Sequence, residues 1–242
     1  MSLREFYDQM YRDNTEPWNY SFRAAELLRH EKIVDTIRGL APKNFRALDI
    51  GCSVGQLTAL LAAHSMNVWG ADISKVAIDR IKARYSGNPP FHLLVADSTQ
   101  IPLEDSFFDV AVLADGMAEW KLSETEVRQK MREIHRLLKP GSAAIFTDYL
   151  RPGEFKNWAA LISGGPLKII RVIYLNDRLW YQFESVFKAI KHWKWVRGLL
   201  RSKALAKCLQ VPARFFGSYG SRHLMIIALK SSSGIDTIRK IS

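Results

Sequence analysis

Residues 46–56, Arg-Ala-Leu-Asp-Ile-Gly-Cys-Ser-Val-Gly-Gln, constrain this chain more than any other stretch of its 242 residues. An apolar run from Ala47 to Ile50 predicts a strand, Gly51 and Gly55 bracket a turn, and Leu57, Leu60 and Leu61 then share one helical face. Asp49 falls at the strand's carboxyl end, where open α/β sheets place their ligands, and glycines let a backbone approach one closely. Two familiar uses of such a turn fit poorly. A dinucleotide fingerprint needs G-x-G-x-x-G, and Ser53 and Gln56 break it. A nucleophile elbow, G-x-S-x-G, is matched by Gly51 to Gly55 and leaves hydrolysis through Ser53 as an outside reading. That elbow belongs behind several strands, but the 45 residues before it here read as helical and hold no His-Gly-Gly stretch. Cys52 reads as a small buried hydrophobe rather than a nucleophile.

The spacing that remains is Asp49-x-Gly51-x-x-x-Gly55, and the following segments end in matching ways. A second strand, Asn67 to Asp72, brings a carboxylate that can accept from both hydroxyls of a ribose. A third ends at Asp97 with Ser98 beside it, and a fourth, from Phe108, ends at Ala114-Asp115. A helix over 122–138 leads through Leu137-Leu138-Lys139-Pro140-Gly141-Ser142, which ends it, into a fifth strand, Ala143 to Asp148. Each aspartate alone is an ordinary turn former; three on one edge of a parallel sheet are harder to assign that way. Taken in order over 45–150, these segments resemble the class I S-adenosylmethionine-dependent methyltransferases, with Ser53 in place of a middle glycine and Ser142 in place of a second. The resemblance implies S-adenosyl-L-methionine as donor, leaving as S-adenosyl-L-homocysteine, and no metal. It implies donor contacts from Trp18, Asp49, Gly51, Cys52, Ser53, Gly55, Gln56, Leu57, Asp72, Ile73, Asp97, Ser98, Ala114 and Asp115. Asp72 would take the ribose and Asp97 the adenine amino group, while the fourth strand's end would border the methionine half.

The lead-in Asn14-Thr15-Glu16-Pro17-Trp18-Asn19-Tyr20 resembles the Asp-Pro-Trp-x-Tyr segment of small-molecule members of that family, of nodulation and thiopurine type, with Glu16 for the aspartate. There it folds over the donor as a lid. Trp18, Tyr7 and Tyr11 can cover a sulfonium, which aromatic faces attract, or serve as core packing. Flanking helices are expected around Phe6, Tyr7, Met10 and Tyr11 and from about Ser21, as cap, to Arg38. Asn88-Pro89-Pro90-Phe91 copies a motif by which some methyltransferases grip a nucleobase or glutamine amide. Here it precedes the third strand instead of following the fourth, so it reads as a stiff loop.

Charge divides the chain. Residues 1–150 carry 18 Lys/Arg against 20 Asp/Glu, net −2, and residues 151–242 carry 17 against 4, net +13. Between 186 and 208, Phe187, Ile190, Trp193, Val196, Leu199 and Leu200 interleave with Lys188, Lys191, Lys194, Arg197, Arg201, Lys203 and Lys207. This predicts a basic amphipathic helix suited to a membrane surface or an amphiphilic substrate, with nucleic acid a weaker candidate and a plain solvated face the alternative. Two cysteines do not suggest a disulfide framework. The first residues lack the apolar core of a signal peptide, and the apolar window 158–175 is broken by Gly164-Gly165-Pro166. A cytoplasmic protein, peripheral at most to the inner face of a membrane, is the expectation.

The expected fold is a Rossmann-like α/β domain: a seven-stranded, mainly parallel sheet with the last strand antiparallel, helices on both faces, and a helical cap. One domain would span 1–242: an N-terminal lid (1–40), a donor-binding half (41–150), a basic helical insertion (151–210), final strands at Ala213-Arg214-Phe215-Phe216 and His223–Lys230 (211–230), and a tail (231–242). The function expected is methyl transfer to oxygen or nitrogen of a small, sugar- or lipid-linked metabolite. The alternatives are an RNA or macromolecule methyltransferase and a non-catalytic donor-binding module. Asp115 and Glu119 are the candidate catalytic groups near the donor, and His223 is a third that approaches from the far strands.

Overall fold

A computed structural model describes residues 1–18, 20, 23–40, 45–64, 66–117, 122–187, 190 and 193–232. Helices α1 (Leu3–Asp13) and α2 (Ala24–Leu40) lead into β1 (Arg46–Ile50), α3 (Gln56–Ala63), β2 (Asn67–Asp72), α4 (Lys75–Arg84), β3 (His92–Val95) and β4 (Phe108–Ala114). Helix α5 (Glu124–Leu137), β5 (Leu138–Tyr149), α6 (Phe155–Ser163) and β6 (Lys168–Tyr174) follow. Then come α7 (Arg178–Val186), α8 (Lys194–Leu200), α9 (Lys203–Ala213), a 3-10 segment (Arg214–Gly220) and β7 (His223–Leu229).

The seven described strands form one sheet in the order β3-β2-β1-β4-β5-β7-β6. Pairing is parallel from β3 through β5, and β7 runs antiparallel to both β5 and β6. Alternating side chains divide between two apolar layers, as the pleat requires. Leu48, Ile50, Ala111, Leu113, Phe146 and Ile226 face α5 and α6, and Ala47, Val110, Val112, Ile145 and Ile227 face α2, α3 and α4. Both faces are therefore covered, which is why β4 and β7 read as nearly unbroken apolar runs. Chain order reverses at β1, which lies between β2 and β4, so the loops after β1 and β4 diverge and open a crevice at the carboxyl edge.

Caps fix the helix starts near that edge. Ser2 and Glu5 form a capping box on α1, Ser123 and Glu126 form one on α5, and Ser74 caps α4. Helix α1 docks on α4 through Asp8, whose Oδ1 accepts from Ser74 Oγ at 2.6 Å and from the Val76 amide at 3.1 Å. The cap at the other end has its own small core. Ala24, Ala25 and Leu28 of α2 pack with Trp180 and Tyr181 of α7, Val196 and Leu200 of α8, and Ala206 of α9.

Three expectations need correction. The stretch 186–208 is not one helix: α7 ends at Val186, Trp193 adopts an extended backbone before α8, and Ser202 caps a separate α9 by accepting from the Leu205 amide. Residues 213–216 are not a strand either. Helix α9 passes into the 3-10 segment, where Gly217 has φ +53° and Gly220 packs so tightly that a Cβ would lie 1.9 Å from the Ala213 carbonyl oxygen. The strand beside β7 is β6 instead, inside the segment 151–210 expected to be helical; it is an edge strand whose Lys168, Arg171 and Val172 face solvent, so its pattern lacks a buried strand's apolar run. Strand β5 also starts at Leu138, five residues before Ala143, because α5 runs straight into it. The expected Ser21 cap, Glu119, Lys188, Lys191 and residues 233–242 lie outside the described residues. Asn88–Phe91 sits at the amino ends of β2 and β3, the edge opposite the crevice.

Candidate active site

The turn after β1 is held by the tip of β2. Gly51 and Cys52 donate their amides to the Ala71 carbonyl at 2.7 and 3.0 Å, and the Ser53 amide donates to Asp72 Oδ2 at 2.9 Å. Gly55 has φ +80°, and a Cβ there would press on Ile81 at 3.0 Å, so the second glycine meets both a backbone and a packing requirement. Tyr11 of α1 closes over the turn, donating its hydroxyl to Ser53 Oγ at 2.7 Å. Ser53 is thus bonded to a phenol whose proton burial holds more tightly than usual, not to an imidazole that could activate it.

A cavity of about 480 Å³ opens at the carboxyl edge above β1 and β4. Of the expected donor contacts, Trp18, Gly51, Ser53, Asp72, Ile73, Asp97, Ser98, Ala114 and Asp115 line it. Asp49, Cys52, Gly55, Gln56 and Leu57 do not, because each faces another way. Asp49 points behind the turn and accepts from Thr58 Oγ1 at 2.6 Å, and Cys52 and Leu57 belong to the core under α3 and α4. Gly55 faces Ile81, and the Gln56 amide donates to Glu16 of the lead-in. Burial pushes the Cys52 thiol well up, which removes it as a nucleophile. At the rim, Asp72 also accepts from the Ser74 amide at 2.8 Å, and Asp97 Oδ1 accepts from the amide and hydroxyl of Thr99.

The opposite wall is built around Arg29 of α2, which is fully buried. Its Nη2 lies 2.5 Å from Asp115 Oδ2 and 2.6 Å from Glu26 Oε2. Tyr20 also donates to Asp115, at 3.1 Å, and Tyr181 donates to Glu26 Oε1 at 2.5 Å. Burial opposes ionisation of Glu26, but Arg29, with His223 and Arg23 behind it, overrides that and holds its carboxyl well below the usual range. Asp115 has φ +57°, a strained setting for a non-glycine residue, and its Oδ1 is buried without a hydrogen-bond partner among the described residues. Facing it is His223, the first residue of β7, whose Nε2 lies 3.7 Å from Asp115 Oδ1. Its Nδ1 is 2.5 Å from Asp177 Oδ2, and Asp177 Oδ1 accepts the Arg222 and His223 amides at 2.7 and 3.2 Å. Ligand atoms of Glu26, Asp115 and His223 lie within 4.8 Å of one another, as a metal site would need. The Arg29 guanidinium bridges the two carboxylates through Glu26 Oε2 and Asp115 Oδ2, whereas Glu26 Oε1 and Asp115 Oδ1 face His223.

Sequence reading placed the aspartates at the strand tips and named His223, but missed Arg29, Glu26, Asp177 and Tyr181. Glu26 and Arg29 carried a weak signal, two charges three residues apart among the mostly apolar residues that α2 buries.

Residues 48–146 match the family described as methyltransferase domain. The chain is 30% identical over 120 residues to a demethylmenaquinone methyltransferase of Clavibacter sepedonicus, covering 49% of this chain and 47% of that protein. It superposes on the solved structure of the cyclase SpnF with a TM-score of 0.66 and 17% identity over 96% of each chain. It superposes on the N-methyltransferase NodS from Bradyrhizobium japonicum WM9, solved with S-adenosyl-l-homocysteine, with a TM-score of 0.63 and 16% identity over 93% of this chain and 97% of that one. The chain spans about half the length of the curated relatives it matches. The architecture is the Rossmann-like fold of class I S-adenosylmethionine-dependent methyltransferases. Within it, residues 48–146 are the stretch that matches the methyltransferase domain family.

Desolvation, with Asp72 adding and Thr58 opposing, raises the Asp49 carboxyl to about 6. A folded-state value above the unfolded one means the stability it contributes is complete below about pH 4 and lost as pH rises through 6. Asp49→Asn cannot ionise. Relative to the parent, its gain in stability is expected to grow from near zero at pH 4 to about 3 kcal/mol at pH 7.5. Thermal unfolding across that range checks this; a variant less stable than the parent at pH 7.5 contradicts it.

Proposed function

We propose that the chain is an S-adenosylmethionine-dependent methyltransferase acting on a small-molecule acceptor, working as one domain with residues 1–40 as a lid over the donor. The observation that carries this reading is the placement of Asp72 and Asp97 at adjacent strand tips around the Gly51–Gly55 turn, on the rim of one cavity. The site suits the donor chemically. A carboxylate offers roughly four acceptor positions, so Asp72 can hold two amides and still meet ribose hydroxyls. Asp97 and Ser98, on the same rim, are the groups we assign to the adenine, and Tyr7, Tyr11, Trp18 and Tyr20, which also line the cavity, to the cationic sulfonium. Its volume lies within the range of ordinary small-ligand sites, roughly 300–1,000 Å³.

When bound, the donor supplies an already activated methyl group, so the protein's work is to align it and exclude water. Correct orientation of two reactants contributes on the order of 7–11 kcal/mol. Gly51 and Ser53 fix one end through the turn, Tyr11 and Trp18 close from above, and Asp115, Tyr149 and His223 border the side where an acceptor would enter. The Clavibacter relative is named for a quinone acceptor, which favours an amphiphilic molecule. SpnF carries the same fold under the name of a cyclase, so fold alone does not decide between turnover and mere donor binding.

S-adenosyl-L-homocysteine at 100 times its dissociation constant is expected to add about 2.7 kcal/mol of stability, read as a rise in Tm, and NADH none. Asp72→Ala is expected to abolish most of that rise. Stabilisation by NADH alone would contradict the reading.

A second feature supports contact with an anionic membrane surface. Phe215, Phe216 and Tyr219 stand 88, 61 and 65% exposed in the 3-10 segment, and Trp193 and Trp195 are 49 and 56% exposed before and within α8. They belong to the half with net charge +13, and aromatic side chains among cations suit a lipid headgroup layer. No described helix is long and apolar enough to cross a membrane. Co-sedimentation with phosphatidylserine-containing vesicles is expected, weakening with salt and with Phe215→Ala/Phe216→Ala, while phosphatidylcholine vesicles leave the protein in solution. Salt-sensitive retention on RNA without vesicle binding would instead favour a macromolecular partner.

A further inference from the structure

The proposed function leaves one buried arrangement unexplained: an imidazole backed by a carboxylate, facing the acceptor side of the cavity. We propose that His223 is the general base that takes the proton from an acceptor hydroxyl, with Asp177 as its positioning residue, so that the acceptor is a phenol- or enol-type molecule. The inference rests on the methyltransferase reading and deepens it.

The geometry is specific. Asp177 precedes α7, and both of its oxygens are committed to His223 and Arg222: Oδ1 to their backbone amides and Oδ2 to the ring Nδ1 at 2.5 Å. A carboxylate accepts only, so Nδ1 carries the proton, and in the neutral ring Nε2 presents its lone pair. That nitrogen is directed at the cavity wall, 3.7 Å from Asp115 Oδ1 and 4.0 Å from Glu26 Oε1, both beyond hydrogen-bonding range. An acceptor hydroxyl at this spot could donate to Nε2. The Tyr149 ring, 5.3 Å from the imidazole, offers a flat neighbour for a planar acceptor.

Electrostatics favour the proton's arrival. Among the described residues, the charged and titratable groups around the imidazole are Asp177 before α7, Tyr181 on α7, Glu26, Arg29 and His30 on α2, Asp115 after β4, Tyr149 at the end of β5, and Arg222 beside it in the chain. Burial and Arg29 disfavour an imidazolium, but Asp177 and Glu26 prevail, and His223 titrates above its ordinary value. A hydroxyl must lose its proton to become a strong nucleophile, whereas a neutral amine already is one, so a backed base has more work with oxygen. In the step, the hydroxyl proton passes to Nε2 and an oxygen electron pair forms the bond to the methyl carbon. The carbon–sulfur bond breaks, and sulfur keeps that pair as a neutral thioether. Asp177 holds the imidazolium until its proton leaves to solvent.

The test uses 4-nitrophenol as probe, bound to the full chain saturated with S-adenosyl-L-homocysteine, with ionisation read from the phenolate absorbance as pH is varied. The bound phenol is expected to ionise about tenfold more readily than free phenol, one unit lower in pH. In His223→Gln this shift is expected to vanish. In Asp177→Asn the amide would donate to Nδ1 and place the proton on Nε2, so the shift is lost there too although the ring stays. Both variants are expected to keep the thermal stabilisation by S-adenosyl-L-homocysteine, and Asp177→Asn serves alone if His223→Gln does not fold. An unchanged shift in Asp177→Asn, or failure of the loaded protein to bind the phenol, overturns the proposal and leaves the methyltransferase reading intact. Failure of the parent to bind S-adenosyl-L-homocysteine removes both.

Discussion

A guanidinium without access to water has to be balanced by carboxylates, and Arg29 takes two: Glu26 one turn back on α2 and Asp115 beyond the end of β4. The pairing crosses 86 residues of chain and joins the N-terminal helices to the middle of the sheet. Loss of one partner from a buried pair of this kind leaves an uncompensated charge, at a cost of about 3–5 kcal/mol. Three features of the cavity wall around Arg29 are tied to it. Asp115 is held at a positive φ with one oxygen turned to the cavity, Glu26 stays ionised to receive Tyr181, and α7 is drawn against α2 with its small core. Buried His30, beside Arg29, is pushed down to about 4 by desolvation and that same cation, so the stability it contributes falls as pH drops from its ordinary 6.5 toward 4.

The cavity therefore has two chemically different walls. On one side, short carboxylates and backbone amides at the tips of β1, β2 and β3 present fixed hydrogen-bonding positions around a glycine turn. On the other, an ionic network is assembled from α2, β4, β7 and the loop before α7. The first wall is built from consecutive βα units and is the part the methyltransferase domain match covers. The second depends on the antiparallel strand β7, which brings His223 alongside Tyr149 at the end of β5.

That division explains what could be read from the residues. The strand–turn–helix at 46–56, and the aspartates at 72, 97 and 115, are local patterns: a strand's apolar run ends, and a turn residue with a carboxylate follows. They were legible for that reason, as was the mainly parallel sheet, whereas the strand order was not read from the residues. The wall around His223 is non-local. Asp177 and His223 are 46 positions apart and meet only because β7 inserts between β5 and β6. Strand β6 was hidden because, at the sheet edge, it keeps one solvent-facing side, and its lysine and arginine broke the apolar run. The region 186–208 misled for a different reason. Its apolar and basic residues do follow helical spacing, but Trp193 and Ser202 set two helix starts that a periodicity argument does not weigh.

The most direct measurement is a crystal structure of the chain with S-adenosyl-L-homocysteine bound. The account expects the ribose hydroxyls within hydrogen-bonding distance of Asp72, the adenine beside Asp97, and the sulfur directed at the space between Asp115 and His223. A nucleoside seated elsewhere, or one whose sulfur points away from that imidazole, would contradict it.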